Sequence, residues 1–368
     1  MPEPYDVLFY MPWAGPLLEG SGATGGAETQ VVMLARLLAA GGLNVGLLAI
    51  GDPARLPRVV DGVRVFAQRR PPRVRYLAGL INDLTALRAL RRTPARAIVA
   101  RTGGRSAAVA ALAARLQGAG FVYSSANVFD YHLEVVDRRY NAWLFAWAVR
   151  AATVVVAQTD EQAELCRRRF ARGAVVIRSI AERAAPRTAT PQAFLWIGRL
   201  VSYKRLEVYL DLAARVPEAR FEVIAVPGLE ADPALEHGLE EARRSLPNLA
   251  VLEPRPRAEL APLLDRAVAV VNTAEWEGMP NVFLEAWARG VPVLALQHDP
   301  DGVVQRYGLG GFAAGSVEHL VELARSAWQS RREQRAVAER CIGYVRREHD
   351  TDTIVEAWRG VLARAAKR

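Results

Sequence analysis

Two glutamates, Glu277 and Glu285, flank a Gly-Met-Pro-Asn turn within the stretch from Val270 to Ala295. The pattern around them predicts a buried strand (Ala267 to Val271), a polar turn, a short helix and a second buried strand (Val291 to Leu296). Pro280 suits the first helical position and Gly290 the stop just after the helix. A helix start offers free N–H groups and a partial positive charge, the usual seat of a phosphate. Carboxylates accept sugar hydroxyls instead, so a helix start bracketed by two of them fits a ligand with both parts, a nucleotide sugar. On spacing alone a plainer reading stays open, in which Glu285 is a solvated helix residue and Glu277 a loop residue. Cations are available nearby in sequence pattern: Gly198, Arg199 and Lys204 follow a strand-like Ala193 to Ile197. Only two of the 48 basic residues are lysines, and Lys367 lies at the C-terminal end, so Lys204 is the one lysine in the body of the chain. A planar guanidinium fork beside a compact ammonium suits the two phosphates of a leaving diphosphate. An ordinary surface loop is the alternative.

These side chains need a scaffold, and the rest of the chain reads as one. Asp6 to Tyr10 is strand-like; a loop from Ser21 to Glu28 with Gly25 and Gly26 leads into an apolar helix from about Thr29 to Ala40. Gly41-Gly42 ends that helix before the strand Asn44 to Ile50. Glycines at a strand-to-helix turn let the backbone approach a phosphate or a sugar. The spacing of Gly22, Gly25 and Gly26 is not the dinucleotide fingerprint, and a plain tight turn is equally open. Strand Ala97 to Ala100, helix Ser106 to Leu116, strand Phe121 to Ser124, a loop with Asp130 and His132, helix Arg138 to Arg150 and strand Thr153 to Gln158 follow. After strand Ala174 to Ile177, the aperiodic run Ser179 to Pro191 reads as a linker. The pattern then restarts with strand Ala193 to Ile197, helix Arg205 to Val216, strand Arg220 to Val226, helix Leu235 to Ser245, strand Leu249 to Leu252 and helix Ala258 to Asp265. Alternating helices and Val- and Ile-rich strands predict an α/β protein with parallel sheets covered on both faces. Two doubly wound domains facing a cleft are expected. Ligands in such sheets sit beyond the C-terminal strand ends, which would bring Arg199 and Lys204 to the same place as Glu277 and Glu285.

Composition sets further bounds. A chain of 368 residues, 51% hydrophobic, suits two domains. No apolar run reaches the roughly 18 residues of a membrane span, and the N-terminus enters a strand with no basic lead, so a soluble cytoplasmic protein is expected. The aromatic run Tyr140 to Trp147 is too short to span and fits a core helix. Cys166 and Cys341 lie far apart without metal-type spacing, which argues against a disulfide and a zinc site. The net charge of +9 is uneven: residues 1–183 hold 24 basic and 14 acidic side chains, residues 184–368 hold 24 and 25. The excess concentrates in Arg64, Arg69, Arg70, Arg73, Arg75, Arg88, Arg91, Arg92 and Arg96. Such a segment attracts anionic lipid, nucleic acid or an acidic ligand, unless it reflects a compositional preference for Arg.

Phe194 to Lys204, with its Gly198-Arg199, and Glu277 to Val293, with its Glu-x7-Glu, together resemble the group 1 family of retaining GT-B glycosyltransferases. Gly25-Gly26-Ala27-Glu28, Gln158-Thr159, Asp299 to Gly302 and Gly308 to Gly310 fit the same pattern, so the likeness covers nearly the whole chain. The resemblance implies two Rossmann-like domains, 1–183 for the acceptor and 184–348 for the nucleotide sugar, with 349–368 a last helix crossing back, its Trp358 and Val361 packing on the first domain. It implies that Arg199 and Lys204 neutralise the diphosphate, that Glu277 holds donor-sugar hydroxyls and Glu285 the ribose. The backbone of Gly278, Met279, Pro280, Asn281 and Val282 would approach the sugar or phosphates, and Gly26 would face the diphosphate. No cofactor and no metal are expected, and the triplets Asp299-Pro-Asp301 and Asp350-Thr-Asp352 read as structural. One departure stands out. Family members often carry a histidine directly after an N-domain strand, where this chain has Ser125-Ala-Asn127; Asp130 and His132 are the candidates for that place, although His132 also suits a packed or surface position. The implied activity is hexosyl transfer to a lipid-linked, polysaccharide or other glycan acceptor in cell-surface polysaccharide biosynthesis, without nucleic acid and with peripheral contact to an anionic inner membrane face through the basic N-terminal domain. The alternatives are a GT-B epimerase or phosphorylase and a non-catalytic membrane-binding module.

Overall fold

The computed structural model describes residues 3–20, 25–69, 78–132, 139–227 and 232–367. Arg70, Arg73 and Arg75 of the basic segment, and the part of the glycine loop containing Gly22, lie outside the described residues. The chain divides into two compact units, Met1–Ile180 with Thr351–Arg368, and Ala181–Asp350.

The first unit is built on an eight-stranded sheet. Its strands are β1 (Tyr5–Tyr10), β2 (Val45–Ile50), β3 (Val59–Val60), β4 (Val63–Gln68), β5 (Ala95–Ala100), β6 (Gly120–Ser124), β7 (Val154–Ala157) and β8 (Val175–Val176), in the order β3-β4-β2-β1-β5-β6-β7-β8. All neighbours run parallel except β3 and β4. β2, β6 and β7 are buried along their whole length, which their near-continuous apolar sequences require once helices cover both faces. The Thr351–Ala366 helix belongs to this unit: Ile354, Trp358, Val361 and Ala365 share one apolar cluster with Val7, Phe9 and Leu38. Its closeness explains Gly120, where any Cβ would come within 2.2 Å of the Ala365 carbonyl oxygen. Truncating Trp358 to alanine would cost about 3–5 kcal/mol by the usual large-to-small penalty.

The second unit carries a fully parallel six-stranded sheet, β9 (Ala193–Leu200), β10 (Phe221–Pro227), β11 (Leu249–Leu252), β12 (Ala267–Asn272), β13 (Val293–Ala295) and β14 (Gly310–Phe312), in the order β11-β10-β9-β12-β13-β14. One apolar cluster on Phe283, Trp287 and Tyr344 and another on Phe194, Trp196 and Tyr209 fill its core. β9 runs further than its sequence implies: Gly198 and Arg199 pair with Ala225 and Val226 of β10, so they end the strand and do not belong to the loop after it. The second predicted strand beside the glutamates shrinks to Val293–Ala295, because Val291 serves instead to close the helix end, its N–H bonding the Ala286 carbonyl.

Elements with no strong apolar period in sequence appear too. The Ala78–Arg92 helix falls in the Arg-rich segment and buries only Ala86 and Leu90. The Asp160–Phe170 helix is charged along most of its length, with Gln162, Cys166 and Phe170 inward. Cys166 and Cys341 are both free and buried, and burial pushes their thiols up to about 11 and about 12.

Candidate active site

In the second unit the chain runs from β9 through β10 to β11 on one side, then resumes at β12 on the other side of β9 and continues outward to β14. The β9 and β12 ends therefore form the switch point, where two loops part and leave room for a ligand. Lys204 follows β9 and Glu277 follows β12, which is why residues far apart in sequence meet here.

Both loops are tied down by a short relay. The Trp196 indole N–H donates to the Thr273 hydroxyl (3.1 Å), and that hydroxyl donates to the Lys204 carbonyl (2.7 Å). The Glu275 N–H donates to the Tyr203 carbonyl (2.9 Å), a second bond between the two loops. Trp196 reaches Thr273 because Gly198, two residues on and on the same side of the strand, has no side chain: a Cβ there would lie 2.8 Å from the indole ring. Arg205, in the left-handed region at φ 50°, then turns the chain into the Leu206–Arg215 helix, with a guanidinium bond to Gln297 (3.1 Å).

On this frame the Lys204 ammonium and the Glu277 carboxylate form an ion pair, with side chains 17% and 13% exposed. The Arg199 guanidinium donates to the Tyr203 hydroxyl (2.8 Å). The structure thus gathers Arg199, Lys204 and Glu277 into one assembly. Pro280 is the N-cap of the following helix, Asn281–Ala288, so the helix begins one residue later than the proline signal predicts. Gly278 lies in the turn before it, its carbonyl bonded to His298 Nε2 (2.9 Å). Met279 and Asn281 are both buried. Glu285, further along the helix beside Val282, pairs with Arg257 and not with Lys204. Burial lowers the Arg257 guanidinium to about 10, opposed by Glu182, so it stays cationic at neutral pH.

Asp299 is committed to the chain: its carboxylate accepts from the N–H groups of Val304 (2.8 Å) and Gln305 (3.2 Å), capping the Val303–Tyr307 helix. Asp301, the other half of that triplet, holds a left-handed turn at φ 54°.

The remaining predicted residues belong to the first unit. Gly25 caps the Gly26–Ala40 helix, which starts before the Thr29 expected from apolar periodicity, since the glycines and Glu28 carry no apolar signal. Glu28 folds back over the cap: a Cβ on Gly25 would lie 2.5 Å from its Oε2. Asp130 is held inside its own loop, accepting from the Tyr123 hydroxyl (3.1 Å) and from the N–H groups of Ala126 (3.2 Å) and Asn127 (3.3 Å). Burial raises its carboxyl above the usual aspartate range against those bonds. His132 ends the same short turn, half-buried. Gln158 braces the loop from the β7 end, its amide donating to the Ser125 (3.1 Å) and Ala126 (2.8 Å) carbonyls while its oxygen accepts from Ser179 (2.6 Å).

Three contributors escape sequence reasoning: Thr273, whose hydroxyl is the hub of the relay, His298, and Arg101, a buried guanidinium at the end of β5. Only His298 carried a signal, its place beside Asp299 in the Asp-Pro-Asp-Gly segment.

Residues 25–181 match a family model described as a glycosyl transferase 4-like domain, and residues 191–329 match one for glycosyl transferases group 1. No curated protein matches the sequence. Among solved structures, sucrose-phosphate synthase from Thermosynechococcus elongatus is similar over 97% of this chain and 99% of its own, at 14% identity and a TM-score of 0.79. Anabaena HepE in complex with UDP and glucose is similar over 98% and 99%, at 16% identity and 0.76. WaaG, a glycosyltransferase involved in lipopolysaccharide biosynthesis, is similar over 97% and 99%, at 16% identity and 0.74. With a glycosyltransferase model on each unit and the GT-B fold throughout, the chain belongs to the group 1 glycosyltransferase family and is a glycosyltransferase.

Proposed function

We propose that the protein is a retaining hexosyltransferase that moves a sugar from a nucleoside-diphosphate sugar to a hydroxyl of a lipid-linked, polysaccharide or other glycan acceptor. The observation that carries the reading is the Lys204–Glu277 pair on its two-loop frame beside Arg199. A donor diphosphate competes for the Lys204 ammonium and releases the Glu277 carboxylate, which then accepts hydroxyls of the donor sugar. As the bond from the anomeric carbon to the diphosphate breaks, its electron pair stays on the phosphate oxygen, and Arg199 and Lys204 stabilise that charge. The acceptor hydroxyl oxygen bonds the anomeric carbon and gives its proton to the departing phosphate oxygen, so that the products are the glycoside and the nucleoside diphosphate. Two protein cations meet the leaving charge, so we propose a reaction without metal or organic cofactor. Glu285 holds the ribose once Arg257 yields one of its oxygens, and the backbone from Gly278 to Val282 lies along the sugar. Gly25, Gly26, Asp130 and His132 fall on the acceptor unit in this reading.

HepE has been captured with UDP-glucose, which makes UDP-glucose the first donor to try. Incubation with radiolabelled UDP- and GDP-sugars should release the nucleoside diphosphate with one of them, and silence across the common donors would sink the reading. Turnover of the donor without any acceptor would favour an epimerase instead.

We also place the enzyme in the cytoplasm, peripheral at an anionic inner membrane face. Among the described residues no helix is long and apolar enough to cross a membrane. The helices Ala78–Arg92, Gly104–Gln117 and Arg139–Ala151 are neighbours on one side of the first unit. Together they expose Leu80, Leu84, Leu112, Leu116 and Trp143, interleaved with exposed Arg88, Arg91, Arg92, Arg115 and Arg150. Their one acid, Asp83, pairs with Arg105. Leucine, tryptophan and arginine without free acid suit an anionic bilayer surface. Co-sedimentation with phosphatidylglycerol vesicles but not phosphatidylcholine vesicles, weakened by salt and by Leu84→Glu, is expected.

A further inference from the structure

The first unit has a switch point of its own. From β1 the chain passes to β2 and β4 on one side, then to β5 on the other, so β1 and β5 are the strands between whose ends a ligand fits. Tyr10 and Ala100 are paired at those ends, and Arg101 is the next residue. Its side chain is buried, the residue only 7% exposed, and its Nε has no hydrogen-bond partner among the described residues. Arginine is almost never buried without a partner.

Two residues further on, Gly103 caps the Gly104–Gln117 helix and supplies no side-chain cap, which leaves the first-turn N–H groups of a long helix open. Gly104 sits at φ 64° in open space, where a Cβ would meet nothing within 4 Å. The groups that act on Arg101 are Tyr123, Asp130 and Glu28, and each is engaged elsewhere, Tyr123 through its hydroxyl on Asp130. Asp130 accepts from Tyr123, Ala126 and Asn127 and lies against Gly103, 3.0 Å from where its Cβ would be. Glu28 covers the cap of its own helix at Gly25. The other basic residue of the turn, Arg105, pairs with Asp83. What remains, among the described residues, is a buried cationic N–H without an acceptor, two residues before a helix start that has no side-chain cap. Burial lowers Arg101 to about 10, which leaves it charged at neutral pH.

We propose that Arg101 and the start of the Gly104–Gln117 helix form an anion subsite for the acceptor, holding a phosphate-type group that the acceptor carries near the hydroxyl to be glycosylated. This rests on the glycosyltransferase reading and narrows it to phosphorylated acceptors, such as lipid phosphates or phosphosugars.

The full chain, saturated with UDP to fill the donor site, is titrated with methyl phosphate and followed by 31P NMR line width. Saturable binding is expected, weakened at least tenfold in Arg101→Gln and partly kept in Arg101→Lys. Gly104→Asp tests the site without touching the buried side chain: an aspartate tolerates the left-handed backbone, and its carboxylate competes for the helix start, so binding should again fall at least tenfold. Circular dichroism and UDP binding, measured by calorimetry, report whether each variant folds. If Arg101→Gln unfolds, Gly104→Asp decides. Absence of binding to the UDP-saturated wild type, or equal binding by wild type and a folded variant, overturns the proposal. Loss of UDP binding by the wild type sinks the donor reading instead, and the methyl phosphate titration without UDP then still scores Arg101.

Discussion

The two switch points, β9 with β12 and β1 with β5, are built alike and charged differently. In the second unit the cation and the carboxylate pair with each other, Lys204 to Glu277, and both stay partly open to solvent. In the first unit the carboxylate of Asp130 goes to its own loop, and among the described residues the guanidinium of Arg101 has no partner at Nε. A pair that can be parted suits a ligand with both anionic and hydroxyl groups, because each partner finds a replacement. An unpaired buried cation suits a ligand with an anionic group alone. In the proposed reading the fold sets where ligands go, and charge pairing at the strand ends sets which kind.

The sharpest way to break that comparison is to remove one member of the pair. Lys204→Ala and Glu277→Ala should each lower kcat by about a hundredfold or more, the usual cost of deleting a group that stabilises transition-state charge. Labelled-donor turnover checks this. The double variant should lose less stability than the two single losses added together, since each single variant strands a half-buried charge. Strict additivity in urea unfolding would show that the pair is incidental.

The frame comes next. Thr273→Val removes the hydroxyl that joins Trp196 to the Lys204 carbonyl, and Gly198→Ala drives a methyl into the Trp196 ring. Both should cost about 1–2 kcal/mol in unfolding free energy and about tenfold in kcat, with donor KM changed less. Wild-type turnover in both would mean that Lys204 needs no fixed backbone.

How much of this could be read from sequence follows from what each residue does. Lys204 and Glu277 stand out in the sequence as a lone lysine among arginines and an acid before a helix start, whereas Arg199 is marked by its place at a strand end, and Glu285, inside the helix, pairs with Arg257. The parallel sheets were legible because strands such as β2 and β12 are apolar throughout. Thr273 and Arg101 were not, because a threonine after a strand and one more arginine in an Arg-rich half look ordinary until tertiary structure shows what they touch. The reason for glycine at 198 was not legible either, because it lies in the Trp196 indole that occupies the space a Cβ would need. The Ala78–Arg92 helix was missed because it turns Leu80, Leu84 and Arg88 outward, which erases the apolar stripe that marks a surface helix.

A smaller effect is expected at His298, whose ring nitrogen bonds the Gly278 carbonyl in the turn before the Asn281–Ala288 helix. His298→Ala should raise donor KM about threefold to tenfold with little change in melting temperature, through loosening of that turn. An unchanged KM for the donor would assign the histidine to packing alone.

The smallest effect tests the other switch point through pH. Burial raises the Asp130 carboxyl above its ordinary value of 3.8, so the folded protein binds that proton more tightly than the unfolded chain does. The sign follows from linkage: stability due to this group is present below the unfolded value and is lost as pH rises through the raised folded value. Asp130→Asn cannot titrate, yet it keeps one carbonyl oxygen for the Ala126 and Asn127 N–H groups. The wild type should therefore gain stability over the variant as pH falls from 7 toward about 4, on top of a constant offset of about 1 kcal/mol from the altered loop bonds. Urea midpoints of both proteins across that range measure the difference. A difference that grows toward high pH instead would mean that the three hydrogen bonds and Arg101 outweigh burial, and that Arg101 already has its counter-ion in Asp130.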